Sequence, residues 1–116
     1  MQLDELIAKA LKFREERDWK QYHSAKNIAL SISLEAAELL EIFQWKTDDE
    51  AKKLVNDPVQ HENIADELSD ILLYAILMAN DLNINIIEAA DKKIDKNAEK
   101  YPTDKDKGKA IKYTEL

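Results

Sequence analysis

One glycine and two prolines are all that punctuate this chain of 116 residues; they stand at Gly108, Pro58 and Pro102. These are the residues that most often break regular structure, so a chain nearly free of them favours long helices over many short strands. The apolar positions recur to match. Leu3, Leu6, Ile7, Ala10, Leu11 and Arg14 share one stripe of a helix over residues 3–17. A polar break at 19–23 precedes a second helix over 24–45, with Ser24 at its N-cap. Thr47-Asp48-Asp49-Glu50 has the form of a capping box and opens a short helix toward residue 56. Asp57-Pro58 opens the third long helix, which runs to about residue 80, and residues 83–100 form the fourth, ended by Tyr101-Pro102. Four long helices on short connections predict an all-α, antiparallel four-helix bundle over residues 1–102, followed by a lysine-rich tail over 103–116. The third is apolar nearly all round from Ile71 to Ala79, which makes it central to the bundle or shared with a second subunit. An oligomer is expected.

Two acidic pairs sit inside the most hydrophobic stretches, Glu35-Ala36-Ala37-Glu38 and Glu67-Leu68-Ser69-Asp70. At roughly 100° per residue, Glu35 points the way of Ile28, Leu39 and Ile42, and Glu67 the way of Ile71, Tyr74 and Met78. Glu38 and Asp70 lie about 60° aside, at the margin of the same faces. Four carboxylates gathered on apolar faces are costly unless a cation joins them. Pairing with basic side chains is the competing explanation, but the nearest, Lys26 and Lys46, stand at the ends of the second helix. An all-oxygen donor set suits a hard cation, Mg²⁺ or Mn²⁺, and such sites complete their shell with substrate phosphates. Di-iron bundles use Glu-x-x-His, whereas Glu38 and Asp70 fill those positions here, and His23 and His61 lie at or outside helix starts. Iron is disfavoured.

The remaining composition narrows the class. With no cysteine there are no disulfides, thiolate metal sites or cysteine nucleophiles. A net charge of −7 argues against broad electrostatic binding of nucleic acid. The longest apolar run, residues 71–79, is too short to span a bilayer, and no signal peptide is visible, so a cytoplasmic protein without membrane attachment is expected.

Several side chains are candidates for holding a ligand. Trp19, Tyr22, His23, Lys26 and Asn27 cluster near the first break, and Phe43, Gln44, Trp45 and Lys46 close the second helix. Two tryptophans near helix ends suit stacking on a flat ring, or simply cap the core. Tyr74, one turn after Asp70, faces the acids. Lys93, Lys96, Asn97, Lys100 and Tyr101 on the fourth helix can meet phosphate, although a solvated face explains such a lysine run equally well.

The arrangement E-x-x-E, a spacer of 28 residues, then E-x-x-D resembles the signature of the all-α nucleoside triphosphate pyrophosphatases, the MazG-like group. Phe13-Arg14-x-Glu16-Arg17-Asp18-Trp19, Phe43-Gln44-Trp45-Lys46-Thr47-Asp48, Tyr101-Pro102 and Lys112-Tyr113-Thr114-Glu115-Leu116 resemble its dCTP pyrophosphatase branch. The resemblance implies hydrolysis of a nucleoside triphosphate between the α and β phosphates. It further implies Mg²⁺ on Glu35, Glu38, Glu67 and Asp70, a base pocket involving Trp19, His23, Asn27, Trp45 and Tyr74, and a homodimer or homotetramer. Lys26 stands where that branch carries arginine, and the stretch after Asp48 is short. Glu38 and Glu41 are the candidates for the base that activates water. Two alternatives stay open: a helical interaction module whose acids set oligomer register, and the same fold acting on dUTP or phosphoribosyl-ATP.

Overall fold

A computed structural model describes residues 1–103 and Gly108; the remainder of the expected tail, with its Lys112–Leu116 segment, lies outside the described residues. All regular structure among them is helical: α1 (Leu3–Glu16), a 3-10 turn (Lys20–Tyr22), α2 (Ala25–Phe43), α3 (Asp48–Leu54), α4 (Pro58–Asp81) and α5 (Ile86–Lys100). No single helix among them is long and apolar enough to cross a membrane. The chain divides into two compact units, Met1–Leu82 and a second beginning at Asn83.

Side-chain caps set the starts of α2, α3 and α4. Ser24 caps α2 by accepting from the Asn27 N–H at 3.1 Å, and Asp57 caps α4 by accepting from Gln60 N–H at 3.1 Å, with Pro58 in the first turn. The Thr47–Glu50 capping box forms in both directions.

Most helix ends fall slightly inside the expected limits, while α4 runs one residue past its own to Asp81. Asn83 takes a left-handed conformation (φ 56°), which ends α4, and the side chain of Asn85 then accepts from Glu88 N–H. The last long helix therefore starts at Ile86 rather than at residue 83. Similarly, α2 stops at Phe43, leaving Trp45 beyond its C-cap Gln44.

Within the first unit α2 and α4 pack along each other, and α1 packs on α4. Among the described residues the buried apolar side chains are few: Ile28 on α2, and Ile76, Leu77 and Ala79 on α4. Burying an isoleucine or leucine contributes about 1.5–3 kcal/mol each. The apolar run of α4 is buried on this side only; Leu68 and Leu72 stay half exposed. One charged side chain, Arg14 from the apolar stripe of α1, is buried with them at 4% exposure.

Candidate active site

The pairing of α2 with α4 brings three of the acids together. Carboxylate oxygens of Glu35, Glu38 and Glu67 come within 4.8 Å of one another. Glu38 is exposed, while Glu35 and Glu67 each bury an oxygen, Oε2, that has no hydrogen-bond partner. Buried polar atoms are seldom left unsatisfied, so these two orphans mark a place made for a donor or a cation. No ion pair of the described residues engages Glu35, Glu38, Glu67 or Asp70. Salt-bridging across the bundle therefore does not explain them.

The crowding shows in the protonation of Glu35. Its carboxyl is pushed up to about 7, first by its contact with the Glu67 carboxyl, then by burial and by the nearby Glu38 and Asp70. Its carboxyl is therefore partly protonated close to neutral pH. All donors are carboxylate oxygens, the set preferred by hard divalent cations. The residues present fit such an ion.

From these acids a cavity of about 470 Å³ opens between the helices. Glu35 and Asp70 stand in its wall together with Leu73, Tyr74 and Leu77 of α4. Leu6, Ala10, Phe13 and Arg14 of α1 line the other side, with Lys9 at the margin and Trp19 and His23 from the intervening turn. Apart from its charged members this is an apolar, aromatic enclosure of the size that binds small molecules.

The turn that delivers Trp19 has a definable cause. Asp18 adopts φ 51°, so Trp19 N–H returns to the Arg14 carbonyl at 3.1 Å and Asp18 N–H to the Glu15 carbonyl at 3.0 Å. This is a Schellman closure, with aspartate supplying the left-handed residue in place of glycine. Phe13 is held on its face by the Arg17 guanidinium, 3.7 Å from the ring centre. His23 stands 6.2 Å from Tyr74, ring centre to ring centre, in an edge arrangement. Burial and the charge of Arg14 push the His23 imidazole below its ordinary value, so it is neutral at pH 7; its Nδ1 is buried without a partner.

The other expected ligand-contacting residues of the first unit do not line the cavity. Asn27 is exposed and donates through its side-chain amide to the Tyr22 carbonyl at 3.1 Å, and Lys26 is exposed; neither lines the cavity. Trp45 lies past the end of α2, is 85% exposed and is not in the cavity wall of its own chain. Glu41 is exposed and outside the three-carboxylate group. Lys93 and Asn97 lie one turn apart on one side of α5, with Tyr101 at its C-cap, in the second unit.

One feature escaped the sequence reasoning. Arg14 donates to both oxygens of Asp81, Nη1 to Oδ2 at 2.8 Å and Nη2 to Oδ1 at 2.7 Å, joining α1 to the last residue of α4. Arg14 holds the Asp81 carboxyl below the usual carboxylate range, and Asp81 in turn raises the Arg14 guanidinium. The signal was an arginine in the apolar stripe of α1, but nothing local to it names a partner 67 positions away.

Comparison with known proteins agrees with this geometry. Residues 30–116 match the model of the MazG-like family. The chain is 38% identical over 104 residues to dCTP pyrophosphatase 1 of Mus musculus and likewise to that of Homo sapiens. Each match covers 90% of this chain and 61% of the relative, so the chain spans about three fifths of the length of the curated relatives it matches. The crystal structure of a pyrophosphatase from Archaeoglobus fulgidus superposes with a TM-score of 0.80 at 40% identity, covering 86% of this chain and 92% of that one. The chain belongs to the MazG-like family.

Proposed function

We propose that this chain is a divalent-metal-dependent nucleoside triphosphate pyrophosphatase that hydrolyses a deoxynucleoside triphosphate to the monophosphate and pyrophosphate. Cytosine or modified pyrimidine nucleotides are its favoured substrates. One observation carries the reading: two buried, partnerless carboxylate oxygens, on Glu35 and Glu67, belong to an acidic group at a cavity with aromatic walls. The relatives named dCTP pyrophosphatase 1 support the choice of substrate.

Glu35, Glu38 and Glu67, with Asp70 beside them in the cavity wall, would hold Mg²⁺ or Mn²⁺. When bound, the metal neutralises triphosphate oxygens and stabilises the charge of departing pyrophosphate. The chain's own groups do the rest. Trp19 and Tyr74 give the base an apolar, aromatic enclosure, and Leu73 and Leu77 exclude water from it. Neutral His23 stands beside Tyr74 without adding a second positive charge to that of Arg14. Glu38, the exposed member of the acidic group, accepts the proton of the attacking water at a carboxylate oxygen. Glu41 is the more remote candidate for that role.

A homo-oligomer in the cytoplasm is the working form we propose, supported by the leucines that α2 and α4 leave exposed. The test is incubation with the full set of ribo- and deoxynucleoside triphosphates and Mg²⁺, reading pyrophosphate release. Release from cytosine nucleotides, lost in a folded Glu38→Gln variant, is the expected result. No release from any nucleotide at high enzyme concentration would sink the reading, and release from dUTP or phosphoribosyl-ATP alone would redirect it.

A further inference from the structure

Arg14 is the anomaly of the cavity. It is a permanently charged side chain, 4% exposed, in a wall it shares with the apolar Leu6, Ala10, Phe13 and Leu77 as well as with the polar groups described above. A buried ion pair is weak evidence for stability, since a well-packed apolar pair of similar volume usually serves as well or better. Its retention at a cavity wall calls for a chemical reason.

We propose that Arg14 is the residue that reads the base, selecting cytosine over uracil, and that Asp81 is its positioning residue. This rests on the reading above, in which the cavity receives a nucleotide with its phosphates at the acids.

The arrangement along α4 supports it. Asp70, at the acidic end, and Asp81, which holds Arg14, are eleven positions apart, or ~16 Å along the helix. A nucleotide with its phosphates near Glu35 and Asp70 therefore points its base past Tyr74 toward the guanidinium. Asp81 is not itself in the cavity wall. Arg14 lines the wall there, and its guanidinium has N–H groups and no acceptor. Asp81 takes one N–H from each terminal nitrogen, and the fork retains further N–H groups that no described hydrogen bond uses.

A rigid donor fork matches two adjacent acceptors on a base edge, the logic by which arginine reads guanine in DNA. Cytosine has such an edge, its N3 and O2. Uracil replaces the N3 acceptor by an N3–H donor, which would face arginine donors with no acceptor between them. The two bases are nearly the same size, so cavity volume cannot separate them. Hydrogen bonding can, because a site built to bond one edge rejects an analogue that leaves its buried polar groups unpaired. The bidentate hold of Asp81 fixes the fork's angle, and a lysine ammonium could not reproduce it.

The experiment compares kcat/KM for dCTP and dUTP at saturating Mg²⁺ in the wild-type chain and in Arg14→Lys. The wild-type ratio is expected to be about 100-fold or more, and Arg14→Lys to lower it at least about tenfold. A merely structural Arg14 would reduce both activities together and leave the ratio alone, which would overturn the proposal. So would a wild-type ratio within about threefold of unity. The double variant Arg14→Leu/Asp81→Leu removes both charges and repeats the test if Arg14→Lys does not fold. Should the wild-type chain hydrolyse neither nucleotide, calorimetric titration with dCMP and dUMP separates the two ideas. Preference for dCMP that Arg14→Lys abolishes upholds the base reader while the reaction reading fails. Equal binding of both overturns the base reader as well.

Discussion

The ring of Trp19 stands edge-on to that of Phe13, with centres 5.6 Å apart and planes at 77°. This contact is the hydrophobic clasp of the Schellman closure at the end of α1, and it brings two aromatic rings to the cavity from one short stretch of chain. The closure depends on Asp18 holding φ 51°. Valine, branched at Cβ, is a poor occupant of that region, so Asp18→Val is expected to cost about 1–2 kcal/mol in urea unfolding. The same variant should raise KM for nucleotide severalfold, because Trp19 leaves its place. Asp18→Gly, which accepts the conformation freely, should stay within about 0.5 kcal/mol of wild type and keep KM. Equal stability of the valine and glycine variants would show that the turn does not depend on this conformation.

The raised Glu35 carboxyl makes metal binding dependent on pH. Its value near 7 lies above the ordinary 4.5, so between those limits the folded metal-free chain binds more protons than the unfolded one. This group's contribution is therefore intact below about pH 4.5 and is lost as pH rises through 7. A divalent cation competes with that proton and relieves the repulsion that remains at high pH. Millimolar Mg²⁺ or Mn²⁺ should raise Tm by about 5 °C or more at pH 8 and by little at pH 5. Scanning calorimetry with NaCl of matched ionic strength is the control. Identical shifts at both pH values would remove these carboxylates from the ion's shell.

Thr47→Ala provides a local contrast. It deletes the bond from Glu50 N–H to Thr47 Oγ1 in the capping box that starts α3, keeping the reciprocal bond from the residue 47 N–H to Glu50, and the residues of α3 do not line the cavity. The expected cost is about 1 kcal/mol in the unfolding midpoint, with kcat and KM unchanged. A fall in kcat without loss of α3 would tie this segment to the site.

Much of this was legible in the sequence because the relevant forces are local. Ser24, Thr47 and Asp57 announce helix starts within four residues of themselves, and the 3.6-residue period puts Glu35 and Glu67 on faces that must meet. The end of α4 was harder to read. Asn83 and Asn85 both suit a helix boundary, and only the left-handed backbone at Asn83 decides that Asn85 is the cap. Pairing of Arg14 with Asp81 was out of reach, since it joins residues brought together only by the packing of α1 on α4. Trp45, expected in the base pocket from its place at a helix end and from the family resemblance, follows the end of α2 and is exposed in the single chain, where no local rule fixes the direction of a residue past the cap.

Those exposed apolar side chains carry the last expectation. Leu30 and Leu34 are one turn apart on α2 and are 53% and 65% exposed, while Leu68 and Leu72 are one turn apart on α4 and about half exposed. Single exposed leucines are ordinary, but exposed leucine pairs on two helices that pack on each other are the kind of apolar surface an oligomer would cover. A charge placed there would be desolvated in an oligomer and harmless in a monomer. Leu34→Glu is therefore expected to lower the mass found by sedimentation equilibrium to that of one chain, with helix content largely retained. Leu34→Met, which preserves the apolar contact, should sediment as wild type. A wild-type chain that already sediments as a monomer at micromolar concentration would show that this face associates with nothing of its own kind.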